Sequence, residues 1–233
     1  MISVRHVSLA FRLPDGTPRP VFDNVSMEVA AGEHVYLVGP SGSGKTTLLR
    51  LLYMDLRPDR GIVQVGEYRS DTIKETEVPY LRRRLGVVFQ DFQLLPDRSL
   101  YENVAFPLYV TGRPGQSIKS KALAALARVG LSHRQQRFPH EVSGGEQQRA
   151  VIARAIVNEP AVLLVDEPTG NLDPATSDEI MRLLMTLNAQ GTAIVMATHD
   201  YHLVRVHPAR LFAIRNLKLT EVVPQMLEGR GRR

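Results

Sequence analysis

The sequence predicts an α/β fold with a parallel sheet and an inserted helical subdomain. In AVLLVD (161–166) the apolar residues are consecutive, as expected of a strand buried on both faces of a parallel sheet. Strand patterns then stop between Asp91 and Asn158, where helical signals replace them. The alternation of strands and helices outside this stretch favours α/β over an all-β or all-α fold.

Each predicted element follows from a local pattern. The predicted strands are 2–7, 25–29, 34–38, 62–65, 86–89, 161–166, 192–197 and 210–214. In the helical stretch, SLYE (99–102) is a capping-box pattern, and SIKSKALAALARVG (117–130) has a helical period that ends on glycine. RNLKLTEV is predicted to be the second arm of a hairpin that turns at Asn216, and PQMLEGRGRR a tail.

These elements predict one domain in three parts. The core takes residues 1–90 and 159–214, the helical subdomain takes 91–158, and the hairpin arm with a basic tail takes 215–233. A chain of 233 residues, 43% of them hydrophobic, can bury a core of this size.

Composition excludes several classes of protein. Without cysteine there is neither a disulfide framework nor a thiolate metal site, which suits the cytosol. The N-terminal segment lacks the apolar core of a signal peptide, and no apolar run approaches the ~18 residues of a membrane span. The net charge of +5 is spread too widely to define a nucleic-acid groove, so we expect no nucleic acid. The clusters RRR (82–84) and GRGRR are either solvated surface or contacts to anionic lipid or an acidic partner.

GPSGSGKT (39–46) predicts a phosphate-binding loop. It fits G-x-x-x-x-G-K-[ST], follows the apolar strand HVYLV and precedes a helical segment. Glycines let the backbone N–H groups turn inward around phosphate oxygens. Lys45 would reach the β and γ phosphates, and the Thr46 hydroxyl would sit on Mg²⁺. A bare glycine-rich turn is the structural alternative. The residues predicted to bind ATP here are Gly39, Pro40, Ser41, Gly42, Ser43, Gly44, Lys45, Thr46 and Thr47.

Carboxylates and two further polar residues follow other strands. Asp166 would hold Mg²⁺ through its water, and Glu167 would orient and deprotonate the attacking water. Gln90, after GVVF, would sense that water and the metal, and His199 would donate to the γ-phosphate. By itself the DE pair could be a surface pair and His199 a structural hydrogen bonder.

HEVSGGEQQR (140–149) predicts a second anion site. Ser143 can cap a helix whose N-terminus presents free N–H groups, and Gly144 and Gly145 permit close approach. Because the segment has no lysine, it is better suited to complete an anion site formed by other residues than to form one by itself.

The order of these motifs resembles that of the ATP-binding cassette ATPases, over nearly the whole chain. The resemblance implies a P-loop NTPase fold with a RecA-like parallel core and an N-terminal antiparallel β subdomain. It also implies a homodimer in which Ser143, Gly144 and Gly145 meet the ATP held by the partner. Asp173, in GNLD, would cross that interface; it can also cap the helix that starts at Pro174, and the two roles are compatible.

The chain departs from the family pattern at three positions. Phe11 stands where the family usually has a tyrosine that stacks on adenine; phenylalanine keeps the π face, and a plain core role is the alternative. Val142 and Glu146 replace the usual Leu and Gln, and Glu146 brings a charge near the site.

Within the family, LRRRLGVVFQDFQLLPDRSLYENVAFPL resembles the cell-division branch, whose ATPase works beneath a four-span membrane subunit that controls cell-wall hydrolases. This implies a protein held at the inner face of the cell membrane. The ATPase of a lipoprotein-release or macrolide-efflux exporter is the alternative. The predicted docking patch comprises Phe92, Leu94, Leu95, Arg98 and Tyr101, although Leu94 and Leu95 could merely anchor the helical subdomain. A clamp that hardly turns over ATP would have the same sequence features.

Overall fold

Strands and helices alternate along residues 1–112 and 114–223, the parts of the chain that the computed structural model describes. In these residues the strands are β1 (Ile2–Arg12), β2 (Pro18–Val29), β3 (His34–Val38), β4 (Arg60–Val65), β5 (Tyr68–Arg69), β6 (Leu85–Val88), β7 (Val162–Asp166), β8 (Ala193–Thr198), β9 (Arg210–Arg215) and β10 (Lys218–Val222). The α-helices are α1 (Lys45–Leu52), α2 (Val78–Arg83), α3 (Leu100–Val110), α4 (Gly115–Arg128), α5 (Gly144–Ile156), α6 (Pro174–Ala189) and α7 (Tyr201–Val206).

The chain divides into two units, one formed by Met1–Arg82 with the segment from Ala193 onward, the other by Arg83–Thr192. No helix in the described residues combines the length and the apolar character that a membrane crossing requires. The predicted basic tail GRGRR falls outside the described residues.

The first unit contains the expected antiparallel β subdomain, with strand order β2-β1-β4-β5. β1 pairs with β2 and β4 in antiparallel register, and that register shifts at several points between Val4 and Ala10. His6 lies in one such bulge with a φ of 51°. The bulge explains why the alternating pattern ends at Val7 although the strand continues to Arg12.

A second sheet in this unit has the order β10-β9-β3-β8. β3 is parallel to both β8 and β9, and all five of its residues are buried. β9 and β10 form the predicted hairpin, with Asn216 and Leu217 both at positive φ in the turn (48° and 66°).

The second unit contains the parallel pair β6 and β7 together with helices α3 to α6. The described residues between Asp91 and Asn158 contain helices and no strand, as predicted. The capping box of α3 is present: Ser99 Oγ accepts from Glu102 N at 3.2 Å, and Ser99 N donates to the Glu102 carboxylate at 2.7 Å. The short strand β5 was not predicted, because two residues are too few to set up a period.

Candidate functional site

The loop between β3 and α1 has the conformation that its glycines permit. Gly44 is at the N-cap position of α1 with φ 106° and supplies no capping side chain, and Gly42 has φ 75°. A Cβ on Gly39 would lie 2.6 Å from Ser43 Oγ and 2.7 Å from the carbonyl oxygen of Ile214. Gly42 is therefore required for its backbone angle and Gly39 for space. The exposed part of the loop comprises Pro40, Ser41, Gly42 and Thr46, while Thr47 is half-buried.

Lys45 folds back over this loop. Its side chain is buried, with 7% exposure, and its Nζ donates to the carbonyl oxygens of Gly39 (3.0 Å) and Pro40 (3.4 Å). Ser43 Oγ is buried and has no hydrogen-bond partner among the described residues. A buried hydroxyl without a partner is costly, and a ligand rich in oxygen would satisfy it. The loop thus combines a buried cation, an unsatisfied hydroxyl and an uncapped helix N-terminus, which fits a phosphate.

His199 lies beside the loop at the same sheet edge. Val38 and Thr198 are register partners in the parallel pair β3 and β8, so Gly39 and His199 directly follow adjacent strand ends. His199 is exposed. The turn that carries it is fixed because Asp200 N donates to Thr198 Oγ1 at 3.0 Å. The structure therefore brings His199 and the loop together in one unit.

Phe11 lies near the end of β1, opposite Arg19 on β2. Its side chain is 36% exposed, so it is not the core residue that the alternative reading of the sequence required. The ring is accessible for stacking.

In the second unit, Gln90, Asp166 and Glu167 share an edge. Val88 and Val165 are register partners in β6 and β7, so Gln90 and Glu167 follow equivalent positions of two parallel strands. Gln90 is exposed, whereas Asp166 and Glu167 are 6% and 9% exposed. Two consecutive residues at the end of β7 therefore have buried carboxylates.

The backbone of Glu167 is in the left-handed region, with φ 47°. A residue with a Cβ costs about 1–3 kcal/mol in such a conformation and keeps it only where the surroundings enforce it. Gly170 N donates to the Glu167 carbonyl at 3.3 Å and closes the turn. Such strain clusters at sites of function, as expected for a residue that must point in one direction.

The helix α5 begins with a complete capping box. Ser143 Oγ accepts from Glu146 N at 3.2 Å, and Ser143 N donates to the Glu146 carboxylate at 2.9 Å. Arg134 Nε donates to the same carboxylate at 3.0 Å. The backbone hydrogen bond from Ser143, followed by the ion pair with Arg134, lowers the pKa of Glu146. Glu146, which replaces the usual glutamine of the family, is thus the acidic residue of the capping box.

Gly145 approaches Thr176, a contact that the sequence did not reveal. A Cβ on Gly145 would lie 2.4 Å from Thr176 Cγ2. Thr176 Oγ1 in turn donates to Asp173 Oδ2 at 2.5 Å, and Thr176 N to Asp173 Oδ1 at 3.0 Å. These bonds lower the pKa of Asp173, which caps α6. We call HEVSGGEQQR (140–149) the signature segment and α5, which starts within it, the signature helix. Thr176 therefore joins Gly145 of the signature segment to Asp173, and no period in the sequence marks Thr176.

The predicted docking patch is partly open to solvent. Its apolar members Phe92, Leu94, Leu95 and Tyr101 are half-buried, and Arg98 is exposed. Tyr101 hydrogen-bonds to Tyr109, whose side chain lies on the outer face of α3 and is 58% exposed. Phe106 and Val110 are exposed on the same helix. The helical period after SLYE could have identified these three.

In the described residues, no group of three or more His, Cys, Asp or Glu side chains is arranged to hold a metal ion. A Mg²⁺ ion does not need such a cage, since it usually keeps several waters and binds one or two carboxylates together with substrate phosphates. The carboxylate of Asp166, buried at the end of β7, is of the type that suits that mode of binding.

Comparisons with known proteins agree on one family. The family model described as ABC transporter matches residues 22–170. The chain is similar to the cell division ATP-binding protein FtsE of Streptococcus pneumoniae serotype 2, with 51% identity over 192 residues, 82% of this chain and 84% of that protein. It is also similar to FtsE of Bacillus subtilis (45% over 216 residues, 93% of each chain) and of Escherichia coli (44% over 214 residues, 92% and 95%).

Solved structures give the same result. The dimeric post-hydrolysis state of the ATP-binding cassette MJ0796, bound to ADP and Pi, superposes with a TM-score of 0.86 at 31% identity, covering 96% of this chain and 99% of that one. CbiO1 of Clostridium perfringens, part of the CbiONQ ABC transporter complex, also gives 0.86, at 29% identity, with 98% and 90% covered.

Proposed function

The chain belongs to the ABC transporter family of ATP-binding cassette ATPases and to its FtsE cell-division group. We propose which of its residues bind ATP, which act in hydrolysis and which contact its partners. It binds and hydrolyses ATP. The observation that carries the proposal is the loop after β3, where the buried Lys45 ammonium and the unsatisfied Ser43 hydroxyl lie at an open, uncapped helix N-terminus.

The phosphates of ATP lie along residues 39–47, where backbone N–H groups and Lys45 Nζ donate to their oxygens. Because Lys45 Nζ already bonds the carbonyls of Gly39 and Pro40, its ammonium is held in place before ATP arrives. The exposed face of Phe11 stacks on adenine.

Thr46, Asp166 and Gln90 would hold Mg²⁺, and the ion, when bound, would supply positive charge against the phosphate oxygens. Glu167, fixed by its left-handed backbone, orients the attacking water and accepts its proton, and His199 donates to the γ-phosphate. A positioned base of this kind contributes about 10² to 10⁴-fold to the rate.

Two copies act together, each completing the site of the other. Ser143, Gly144 and Gly145 of one copy meet the ATP held by the other, and Asp173 lies at the interface between them. The dimeric form of the MJ0796 cassette supports this arrangement. ATP closes the dimer, and hydrolysis removes the γ-phosphate contacts and lets it open.

The membrane partner is a subunit resembling FtsX, and the pair controls hydrolases of the cell wall. It docks on Phe92, Leu94, Leu95, Arg98 and Tyr101, whose partly exposed apolar side chains with an arginine at the rim suit a protein interface. This partner holds the ATPase at the cytoplasmic face of the membrane.

The test uses the tagged Glu167→Gln variant in the native host, with membranes solubilised in Mg-ATP. We expect a slowly hydrolysing dimer that co-purifies with a four-span membrane protein carrying a large extracytoplasmic loop, together with division factors. The exposed Glu75→Gln serves as the matched control. Recovery of a lipoprotein-sorting or efflux permease instead would assign the chain to transport. A monomer in saturating Mg-ATP with the membrane partner present would contradict the composite site.

The docking patch has its own test. Leu95→Asp should abolish co-purification of the membrane subunit while ATP still binds. Equal loss of both would indicate a folding defect and not a docking defect.

A further inference from the structure

The segment between β6 and α3, residues 91–98, contains most of the proposed docking patch and has no helix or strand of its own. We call it the docking loop. Gln93 within it has a φ of 47°, so its conformation requires support from elsewhere. Two side chains outside the loop provide that support.

The first is Arg154 on α5, the helix that starts at the signature segment. Its Nη1 donates to the carbonyl oxygen of Gln93 at 2.6 Å, and its Nη2 to that of Phe92 at 3.1 Å. The Arg154 side chain is half-buried, and partial removal from water lowers the pKa of its guanidinium. A planar fork with two separate donors fixes both the distance and the direction of the two carbonyls.

The second is Asn103 on α3, whose side chain is fully buried. Its Oδ1 accepts from Leu95 N at 2.7 Å, and its Nδ2 donates to the carbonyls of Leu95 and Arg98, both at 3.1 Å. Asn103 therefore ties the later half of the loop to α3. Arg154 alone links the earlier half to the signature helix among the side-chain hydrogen bonds of the described residues.

Arg154 also lies at the far end of the helix from the nucleotide-facing residues. It follows the N-cap Ser143 by eleven residues, which corresponds to about 16 Å along the helix axis. Since a helix is stiff over this length, a displacement of the loop carbonyls at one end displaces the capping box at the other.

We propose that Arg154 is a positioning residue that couples the docking loop to the signature helix, so that a membrane subunit bound at the loop shifts Ser143 and Gly145 and thereby changes the ATPase rate. The inference rests on the proposed function, in which the loop docks the partner. It predicts that Arg154 is dispensable for ATP binding and for partner binding, and required for communication between them.

The experiment measures ATP hydrolysis by the full chain alone and with its FtsX-type membrane subunit in nanodiscs. Arg154→Met removes both donors and keeps an unbranched apolar stem, while Arg154→Lys keeps the charge and one nitrogen donor. Arg149→Met is the matched control, because Arg149 is on the same helix and pairs with Glu179 instead of the loop.

We expect Arg154→Met to keep the basal ATPase rate and to co-purify with the membrane subunit. The change in ATPase rate that the subunit causes should become about tenfold smaller, and Arg154→Lys should restore part of it. Arg149→Met should respond as the parent chain does. A parental response in Arg154→Met would overturn the proposal. So would a basal rate that falls by the same factor as the coupled rate, since that indicates a purely structural role.

A second readout does not involve the membrane subunit. The chain has no cysteine, so a spin label on Asp97→Cys reports on the exposed end of the loop. Arg154→Met should raise the mobility of this label and leave a label on Lys119→Cys in α4 unchanged. Unchanged mobility at 97 would refute the anchoring role. If Leu95→Asp retains the subunit and its effect, the docking proposal fails, and the label still decides whether Arg154 anchors the loop.

Discussion

The two glycine-rich helix N-termini of this chain differ in what their first turn has left to offer. At α1 the capping residue is Gly44, which has no side chain, and the next residue is the buried Lys45. At α5 the cap is Ser143, whose backbone N–H donates to the Glu146 carboxylate, so a negative charge lies in the first turn. Both have glycine at the entrance, yet only the first adds a cation to free N–H groups.

This difference supports the proposal that one terminus makes an anion site and the other completes one. A helix N-terminus attracts a phosphate through its N–H groups and its dipole, and a carboxylate in the first turn offsets that attraction. The pairing of Glu146 with Arg134 returns part of the positive charge. The signature helix is therefore suited to bind a phosphate already neutralised by another lysine and metal ion.

Replacing the cation of the stronger site should have the largest effect. Lys45→Met should weaken ATP binding by about 10² to 10⁴-fold, the loss of two charge-assisted hydrogen bonds. Titration calorimetry with Mg-ATP measures it, and the exposed Lys119→Met is the control. Unchanged affinity would show that the phosphates do not bind at this terminus.

The two regions should also respond differently to acid. His34 starts β3, the strand that leads to the loop; burial first, and His207 second, lower its pKa to about 4. Below its ordinary value of 6.5 the unfolded chain binds the proton and the folded chain does not, so stability present above pH 6.5 is lost as the pH falls towards 4. The full loss is about 3 kcal/mol.

His34→Phe should remove this loss while keeping the ring contact with Tyr36. Urea unfolding at pH 7 and pH 4.5 measures the difference, with the exposed His133→Phe as control. The cap of α5 should persist over the same range, because the pKa of Glu146 is lowered. Equal acid sensitivity in His34→Phe and the parent chain would contradict this assignment.

The glycine of the weaker site can be tested against its packing role. Gly145→Ala should cost about 1–3 kcal/mol in the free energy of unfolding, because the new methyl would overlap Thr176. Thr176→Ser in the same chain removes that methyl and keeps the hydroxyl on Asp173, so stability should return. Gly144→Ala, whose Cβ would lie 3.5 Å from Leu172, should be tolerated.

Hydrolysis by the double variant then separates the two roles of Gly145. If the partner's ATP approaches Gly145, the Gly145→Ala/Thr176→Ser chain stays inactive although its stability is restored. If activity returns with stability, the glycine serves only the packing of α5 on α6.

The smallest effect concerns the charge of Glu146. Glu146→Gln keeps an oxygen that accepts from Ser143 N and removes the negative charge, worth about 0.3–1 kcal/mol near a helix N-terminus. In a Glu167→Gln background, ATP-dependent dimerisation should tighten by about two- to fivefold at low salt, measured by analytical ultracentrifugation. Weaker dimerisation would mean that the cap geometry matters more than its charge.

Much of the fold was predictable from local pattern. β3 matches its predicted bounds, and the turn at Asn216 and the cap at Ser99 are where the sequence placed them. The predicted end of β1 was wrong because a bulge near His6 interrupts the alternating pattern. The strand β5 was missed because it has only two residues. Local patterns carry no record of a bulge, because the extra residue is accommodated by pairing with a distant strand.

The loop around Lys45, the carboxylates at 166 and 167 and the cap at Ser143 are readable from the sequence, because each depends on residues close together in the chain. The family is readable too, because it depends on the order of such local motifs along the chain. The tertiary structure was needed to show that Gly145 packs on Thr176 and that Arg154 bonds the loop at Phe92 and Gln93. It also shows that His34 is buried and that no described residue forms a hydrogen bond to its Nε2. These contacts join residues 31 to 62 positions apart or depend on burial, and no period in the sequence encodes which distant surfaces meet.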